Sequence, residues 1–243
     1  PSQLDFLRDR LGERFRSFDA PILRYLKLNH ARAPFNRVNV RRALSAAIDR
    51  GFIAREFYAG TANPARRVLQ GSGDVPDMPQ AGATRIDRPL EIRTTPGVGE
   101  RIAVAIADDW RRIGVETELL VSYPTDLYQA VDGGDFDIAV ASFNRGLKAD
   151  PFFMLDPFAP DGFAANFNWR DDAFAALMAS ARRQSDPEAR ARLYRAANDH
   201  IHDQAAIIPL VHERAHWLVG ERVTGTRPDV QPMLWRNLEL ADV

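Results

Sequence analysis

The chain has 243 residues, 45% of them apolar and 27% charged, with a formal net charge of −1, enough apolar material to bury the core of one large domain or two modest ones. The near-neutral balance leaves no global field for gripping phosphate backbones, which argues against nucleic acid as a partner. The absence of cysteine excludes disulfides and thiol chemistry but leaves the compartment open, and no run approaches the ~18 apolar residues of a membrane-spanning helix.

The first strong pattern is Val40, Ala43, Leu44, Ala47 and Ile48, which makes one apolar helical stripe, with Arg41, Arg42, Ser45, Asp49 and Arg50 on the other face. Asn36 or Asn39 is placed to cap this helix, and the Pro34-Phe35 step predicts an extended approach to it. Phe52 to Tyr58 reads as a short second helix stopped at Gly60, and Thr61 to Arg88, rich in Gly, Pro and Asp, as a long surface excursion. Leu90 to Thr94 alternates as a strand. From Glu100 the stripe Ile102, Ala103, Ile106, Ala107, Trp110, Ile113 predicts a helix ended by Gly114. Val115 to Leu119 alternates again, Asp126 to Val131 reads as a helix closed by Gly133-Gly134, and Phe136 to Ser142 as the next strand. Phe174, Leu177, Met178 and Ala181 line a further helix, and Asp186-Pro187-Glu188 is a helix start signal: a capping Asp, Pro at the first position and an acid in the positive first turn. Ile207 to Val211 reads as a strand. Strands separated by crossover helices predict an α/β layered domain with a mixed sheet.

The run Asn29 to Arg50, with its N-x-x-x-x-PF-x-x-x-x-VR-x-AL-x-x-AIDR spacing, closely resembles a stretch of the family 5 extracellular solute-binding proteins, the oligopeptide- and dipeptide-binding components of ABC importers. Further pieces follow in the family's order: Gly133-Gly134-Asp135-Phe136-Asp137, Asp150-Pro151, Arg190-x-x-Leu193-Tyr194 and Ile208-Pro209-Leu210. The resemblance implies a periplasmic-binding-protein-like lobe of type II in the peptide-binding cluster, a mixed sheet flanked by helices. It implies ligand capture between two lobes without catalysis, with no cofactor or metal. The expected partners are a small-molecule or peptide ligand and an ABC permease, with the protein itself a monomer, periplasmic or extracellular and membrane-associated. Members are about twice this length, since two lobes need two cores. Residues 1–24 are therefore expected to be the tail end of a first lobe, 25–216 the second, ligand-binding lobe, and 217–243 a segment returning to the first. The sequence opens at Pro1 without a basic region and apolar stretch, so any signal peptide is expected to lie outside it.

In peptide-binding members an aromatic residue and then an Asp follow the strand at Phe136, and the carboxylate neutralises the peptide's ammonium. Here Phe143 stands in the aromatic's place, Gly146 or Leu147 in the acid's, and Arg145 and Lys148 make the loop basic. The resemblance thus places Asn29, Phe143, Asn144, Arg145, Asn166, His212 and Glu213 at the ligand, and leans toward a solute without a free ammonium at that end. For Phe143 a core position is an equal alternative, for Arg145 and Lys148 a solvated one, and for Asn144 and Asn166 a turn. Trp169 is expected to pack on the helix that follows it. A second departure is the family's helix before Leu90, of which only Ala81-Gly82 remains.

One motif points elsewhere. His212-Glu213-Arg214-Ala215-His216 spells H-E-x-x-H, which binds zinc when a helix sets both imidazoles on one face, with the Glu as general base. The flanking residues read as strand, where the two histidines would lie ~13 Å apart and could not share an ion. His200 and His202 are expected at the surface. A zinc metallopeptidase and a ligand-sensing domain of a transcription regulator stay as alternatives.

Overall fold

The computed structural model describes residues 2–71, 86–144, 150–224 and 239–240. In chain order they form α1 (Ser2–Leu11), β1 (Phe15–Leu28), α2 (Val38–Ala46), α3 (Arg50–Tyr58), β2 (Asn63–Pro64), β3 (Leu90–Thr94), α4 (Val98–Arg111), β4 (Thr117–Val121), α5 (Pro124–Asp132), β5 (Ile138–Asn144), α6 (Phe152–Leu155), α7 (Asp172–Arg183), α8 (Pro187–Asp203), β6 (Ile207–Leu218), β7 (Val223–Thr224) and β8 (Glu239–Leu240). The main sheet runs β2-β6-β1-β5-β3-β4. β1 is antiparallel to both β5 and β6, and β3 is parallel to β4 and β5. The fold is thus α/β with a mixed sheet between helices, as expected. The carboxyl ends of β3, β4 and β5 therefore lie at one pole of the sheet.

Side chains alternate across a strand, and β1 divides the core accordingly. Leu23 and Tyr25 join Phe143, Phe158, Phe174, Met178, Tyr194 and Ile201 on the α7/α8 side. Leu26 and Leu28 join Val40, Leu44, Ile53, Ile92, Ile106, Trp110 and Leu210 on the α2–α4 side.

Of the arginines assigned to the helix's other face, Arg41 and Arg50 are buried instead and Arg42 is half-buried. Arg41 donates to the carbonyls of Phe35 (2.7 Å), Gln204 (2.6 Å) and Ala205 (3.0 Å), and Arg42 to Asp203 O at 2.8 Å. Both thus cap the negative end of α8, whose last carbonyls have no intrahelical donor. Arg50 donates to Ala65 O (2.9 Å), Pro209 O (2.8 Å) and Ser45 O (2.8 Å), and to Ser45 Oγ at 2.8 Å. These contacts staple α2 to the strand β6 and the segment after β2. Asp49 ends α2's stripe by capping α3, its carboxylate accepting from Phe52 N. Every charged position of the VR-x-AL-x-x-AIDR run is thus spent on orphan backbone groups.

Other expectations change locally. Arg37, with no side-chain cap bond, precedes α2 in place of Asn36 or Asn39, and successive turns from Asn29 to Arg37 replace an extended approach. Ile113, beyond the end of α4, is 43% exposed. β4 begins at Thr117 and lies at the sheet edge, with Leu119, Leu120 and Val121 exposed, because β3 is its only neighbour among the described strands. Ala81-Gly82 falls outside the described residues. Among those described, no helix is long and apolar enough to cross a membrane.

Candidate functional site

In open α/β sheets ligands gather at the carboxyl ends of the strands. At that pole one row of residues crosses three strands: Glu213 of β6 pairs with Ile22 of β1, which pairs with Asn144 of β5. One step inward Arg24 pairs with Ser142. Ser142 and Asn144 are exposed, although Val140 on the same face is buried in the α2–α4 core. The helices thus stop short of the pole and leave the sheet's last rows as an open polar floor.

Beside this floor stands a hydrogen-bonded triad. Arg24 Nη2 lies 2.7 Å and Nε 2.9 Å from Glu213 Oε1. The Tyr58 hydroxyl, from the last residue of α3, donates to the same oxygen at 3.0 Å and accepts from Arg24 Nε at 3.3 Å. Burial pushes the Tyr58 phenol up to about 12, with Arg24 pulling against it and Glu213 adding to it, so the hydroxyl keeps its proton. Burial by itself would lower the Arg24 pKa, but Tyr58 and Glu213 outweigh it and hold the guanidinium above its ordinary value. The triad ties the two long strands to α3 between two register irregularities of β1 on β6, one from Asp19 to Ile22 and one from Arg24 to Tyr25.

The residues expected at a ligand do not all meet here. Asn144 and Glu213 share the pole. Asn29 follows the far end of β1, seven residues from Ile22 and so roughly 23 Å away. It is 1% exposed. Its amide donates to Gly134 O and Phe136 O, both at 3.0 Å, and its oxygen accepts from Ala31 N and Asn168 Nδ2, which exhausts an Asn side chain. Asn166 is at that far end too, accepting from Lys27 and donating to Asp132; burial, partly offset by Asp132, lowers the Lys27 amine to about 8. Asn29 and Asn166 are thus both engaged in hydrogen bonds within the chain. Phe143 takes the core alternative, edge-on to Tyr25 at 5.8 Å and to Phe158 at 5.5 Å. Arg145, with Gly146, Leu147 and Lys148, lies outside the described residues.

His212 is 4% exposed and its Nε2 meets Arg67 O at 3.1 Å. Burial, against the pull of that bond, lowers its pKa to about 4, so the ring is neutral near pH 7. His216 stacks on Phe15 with centroids 5.3 Å apart. Both sit on strand β6 with Glu213 between them tied to Arg24, so H-E-x-x-H has no shared helical face and its Glu is already committed. Glu221 pairs with Arg14 at 2.6 Å. His200 and His202 are half-buried, not surface residues: His200 Nε2 pairs with Asp171 at 2.8 Å and His202 Nδ1 meets Arg66 O at 2.9 Å. Trp169 packs on Phe174 of α7, as expected.

Sequence reasoning passed over Arg24, Tyr58 and Ser142. Arg24 did leave a signal, a charge inside the apolar run Ile22-Leu23-Arg24-Tyr25-Leu26, which implies a partner across the strand. A groove of about 730 Å3 between α3 and α4, lined by Phe52, Phe57 and Val104, shares no residue with the pole.

The chain matches the family described as bacterial extracellular solute-binding proteins, family 5 Middle, over residues 1–166. It is 27% identical over 225 residues to heme-binding protein A of Haemophilus influenzae, covering 83% of this chain and 41% of that protein. To the periplasmic oligopeptide-binding protein OppA of Salmonella typhimurium it is 25% identical over 213 residues, covering 77% and 39%. The solved structure of HbpA2 from Haemophilus parasuis superposes with a TM-score of 0.81 at 25% identity, covering 99% of this chain and 52% of that one. The chain thus spans less than half the length of these curated relatives. With a family match over most of its residues and the family's fold, the chain belongs to the family 5 bacterial extracellular solute-binding proteins.

Proposed function

We propose that this chain is the second lobe of a solute-binding protein that captures a peptide or related small solute and delivers it to an ABC permease outside the cytoplasmic membrane. Residues 25–216 are the lobe proper, with 1–24 and 217–243 belonging to its junction with a first lobe. The observation that carries the reading is the open polar floor of Ser142 and Asn144 at the carboxyl pole, flanked by the Arg24–Glu213–Tyr58 triad. The names of the relatives, oligopeptide- and heme-binding proteins, support a small-solute ligand. Arg24, Tyr58, Ser142, Asn144 and Glu213 are the proposed contacts.

The chemistry is binding alone. Closure follows when the ligand contacts both lobes better in the closed state than in the open one, and β1 and β6 are the strands about which the lobes would turn. The protein acts as a monomer, without metal or cofactor and without nucleic acid. Calorimetry of the complete gene product with a panel of di- to pentapeptides tests the reading: micromolar or tighter binding is expected, and zinc-dependent peptidase activity lost in Glu213→Gln would overturn it.

A further inference from the structure

Arg24 and Glu213 stand beside the floor as opposite charges that are each other's partner. Arg24 spends Nε and Nη2 on Glu213 Oε1, and Tyr58 donates to the same oxygen, so Arg24 Nη1 and Glu213 Oε2 take no part in the triad. Both side chains are less than one-fifth exposed, at 18% and 19%, where charge is weakly screened and an uncompensated ion is costly. The neighbouring floor residues Ser142 and Asn144 are neutral donors and acceptors. We propose that the Arg24–Glu213 pair determines which part of a ligand this floor accepts: because the pair cancels itself, the floor takes an uncharged hydrogen-bonding segment, such as a peptide group, rather than a ligand's ammonium or carboxylate end. An ammonium laid there would meet the repulsion of Arg24 along with the attraction of Glu213, and a carboxylate the reverse, so neither charge gains enough to offset its desolvation, whereas a peptide group offers one acceptor and one donor to the two unspent atoms. Ligand charge is then met away from these residues.

This inference rests on the solute-binding reading and gives it a substrate chemistry. The test uses the complete gene product, wild type and the variants Glu213→Gln, Arg24→Gln and Arg24→Gln/Glu213→Gln, each checked for native circular dichroism. Three probes are titrated by calorimetry: trialanine, N-acetyl-trialanine, which is anionic, and trialanine amide, which is cationic. Glu213→Gln leaves Arg24 uncompensated and is expected to shift the affinity ratio by about tenfold or more toward the anionic probe, Arg24→Gln by a similar factor toward the cationic one. The double variant restores the wild-type ratio to within about threefold, since it is neutral again. Ratios that stay within about twofold of wild type in both single variants, or a shift that the double variant fails to cancel, would overturn the inference while leaving solute binding intact. Failure of all three probes to bind the wild-type protein would instead overturn the peptide-binding reading and this inference with it.

Discussion

Arg41 Nη2 lies 2.6 Å from the carbonyl oxygen of Gln204, the residue that closes α8. This contact joins an early helix to the end of a late one 163 residues away and does so with no carboxylate at all. Burial, with the neighbouring Arg42 charge, lowers the Arg41 pKa to about 10, yet the guanidinium stays charged because three carbonyls solvate it.

Replacing Arg41 by Met therefore leaves the carbonyls of Phe35, Gln204 and Ala205 without their donor. A loss of about 2–4 kcal/mol is expected, from more than one buried acceptor left unsatisfied. Arg41→Lys should recover less than half, since an ammonium cannot reach three divergent carbonyls in the guanidinium's plane. Urea denaturation measures both, and a loss below about 0.5 kcal/mol in Arg41→Met would refute the capping role.

Trp110 is fully buried beneath α2, its indole Nε1 donating to Leu44 O at 2.9 Å. Trp110→Phe is expected to cost about 1–3 kcal/mol, from the lost hydrogen bond and the volume removed, and Trp110→Ala about 3–5 kcal/mol. Thermal melts of both variants check the order as well as the size.

Acid should destabilise the protein through its buried histidines. His30 and His212 are lowered to about 4, in both chiefly by burial, with Arg41 adding for His30; an unfolded histidine titrates near 6.5. The folded state prefers each ring neutral, so the stabilisation is complete above about pH 6.5 and is lost as the pH falls toward 4, worth of order 3 kcal/mol per ring at most. His202 and His216 shift in the same direction and add to the slope. Stability from denaturant titrations between pH 7 and 4.5 should fall with uptake of about two or more protons, and His212→Gln should remove about one of them. A pH-independent stability across that window would contradict the buried neutral rings.

The periodic parts of the fold were legible in the residues, and the polar cross-links were not. The stripe through Ile102, Ile106 and Trp110 predicted α4, and Asp186-Pro187-Glu188 predicted the start of α8, because hydrophobic spacing and caps act within a few residues. Arg41 and Arg50 were set opposite the apolar stripe yet are buried, because their acceptors come from β6, α8 and the segment after β2, which a periodicity argument cannot see. For the same reason Asn29 and Asn144 read as one site although β1 sets them at opposite ends of the sheet. Glu213 was marked by the family resemblance and by a motif whose chemistry the strand forbids, but its partners Arg24 and Tyr58 needed the register of β1 on β6.

Phe143 and Asn144 are adjacent on β5, so their side chains leave opposite faces: Phe143 is 6% exposed among Tyr25, Phe158 and Phe163, while Asn144 is exposed at the pole. Phe143→Ala should create a cavity in the α7/α8 core and cost about 3–5 kcal/mol. Any loss of ligand binding in that variant should then track its unfolded fraction and recover at low temperature or under stabilising osmolyte. Asn144→Ala should leave stability within about 1 kcal/mol and weaken binding of the peptide probes to the complete gene product by about three- to tenfold, through one lost hydrogen bond. The contrast is the measurement: if Phe143→Leu, which refills most of the cavity, still abolishes binding in a folded protein, Phe143 touches ligand after all. If Asn144→Ala binds every probe as tightly as wild type, the polar floor is not where the solute lies.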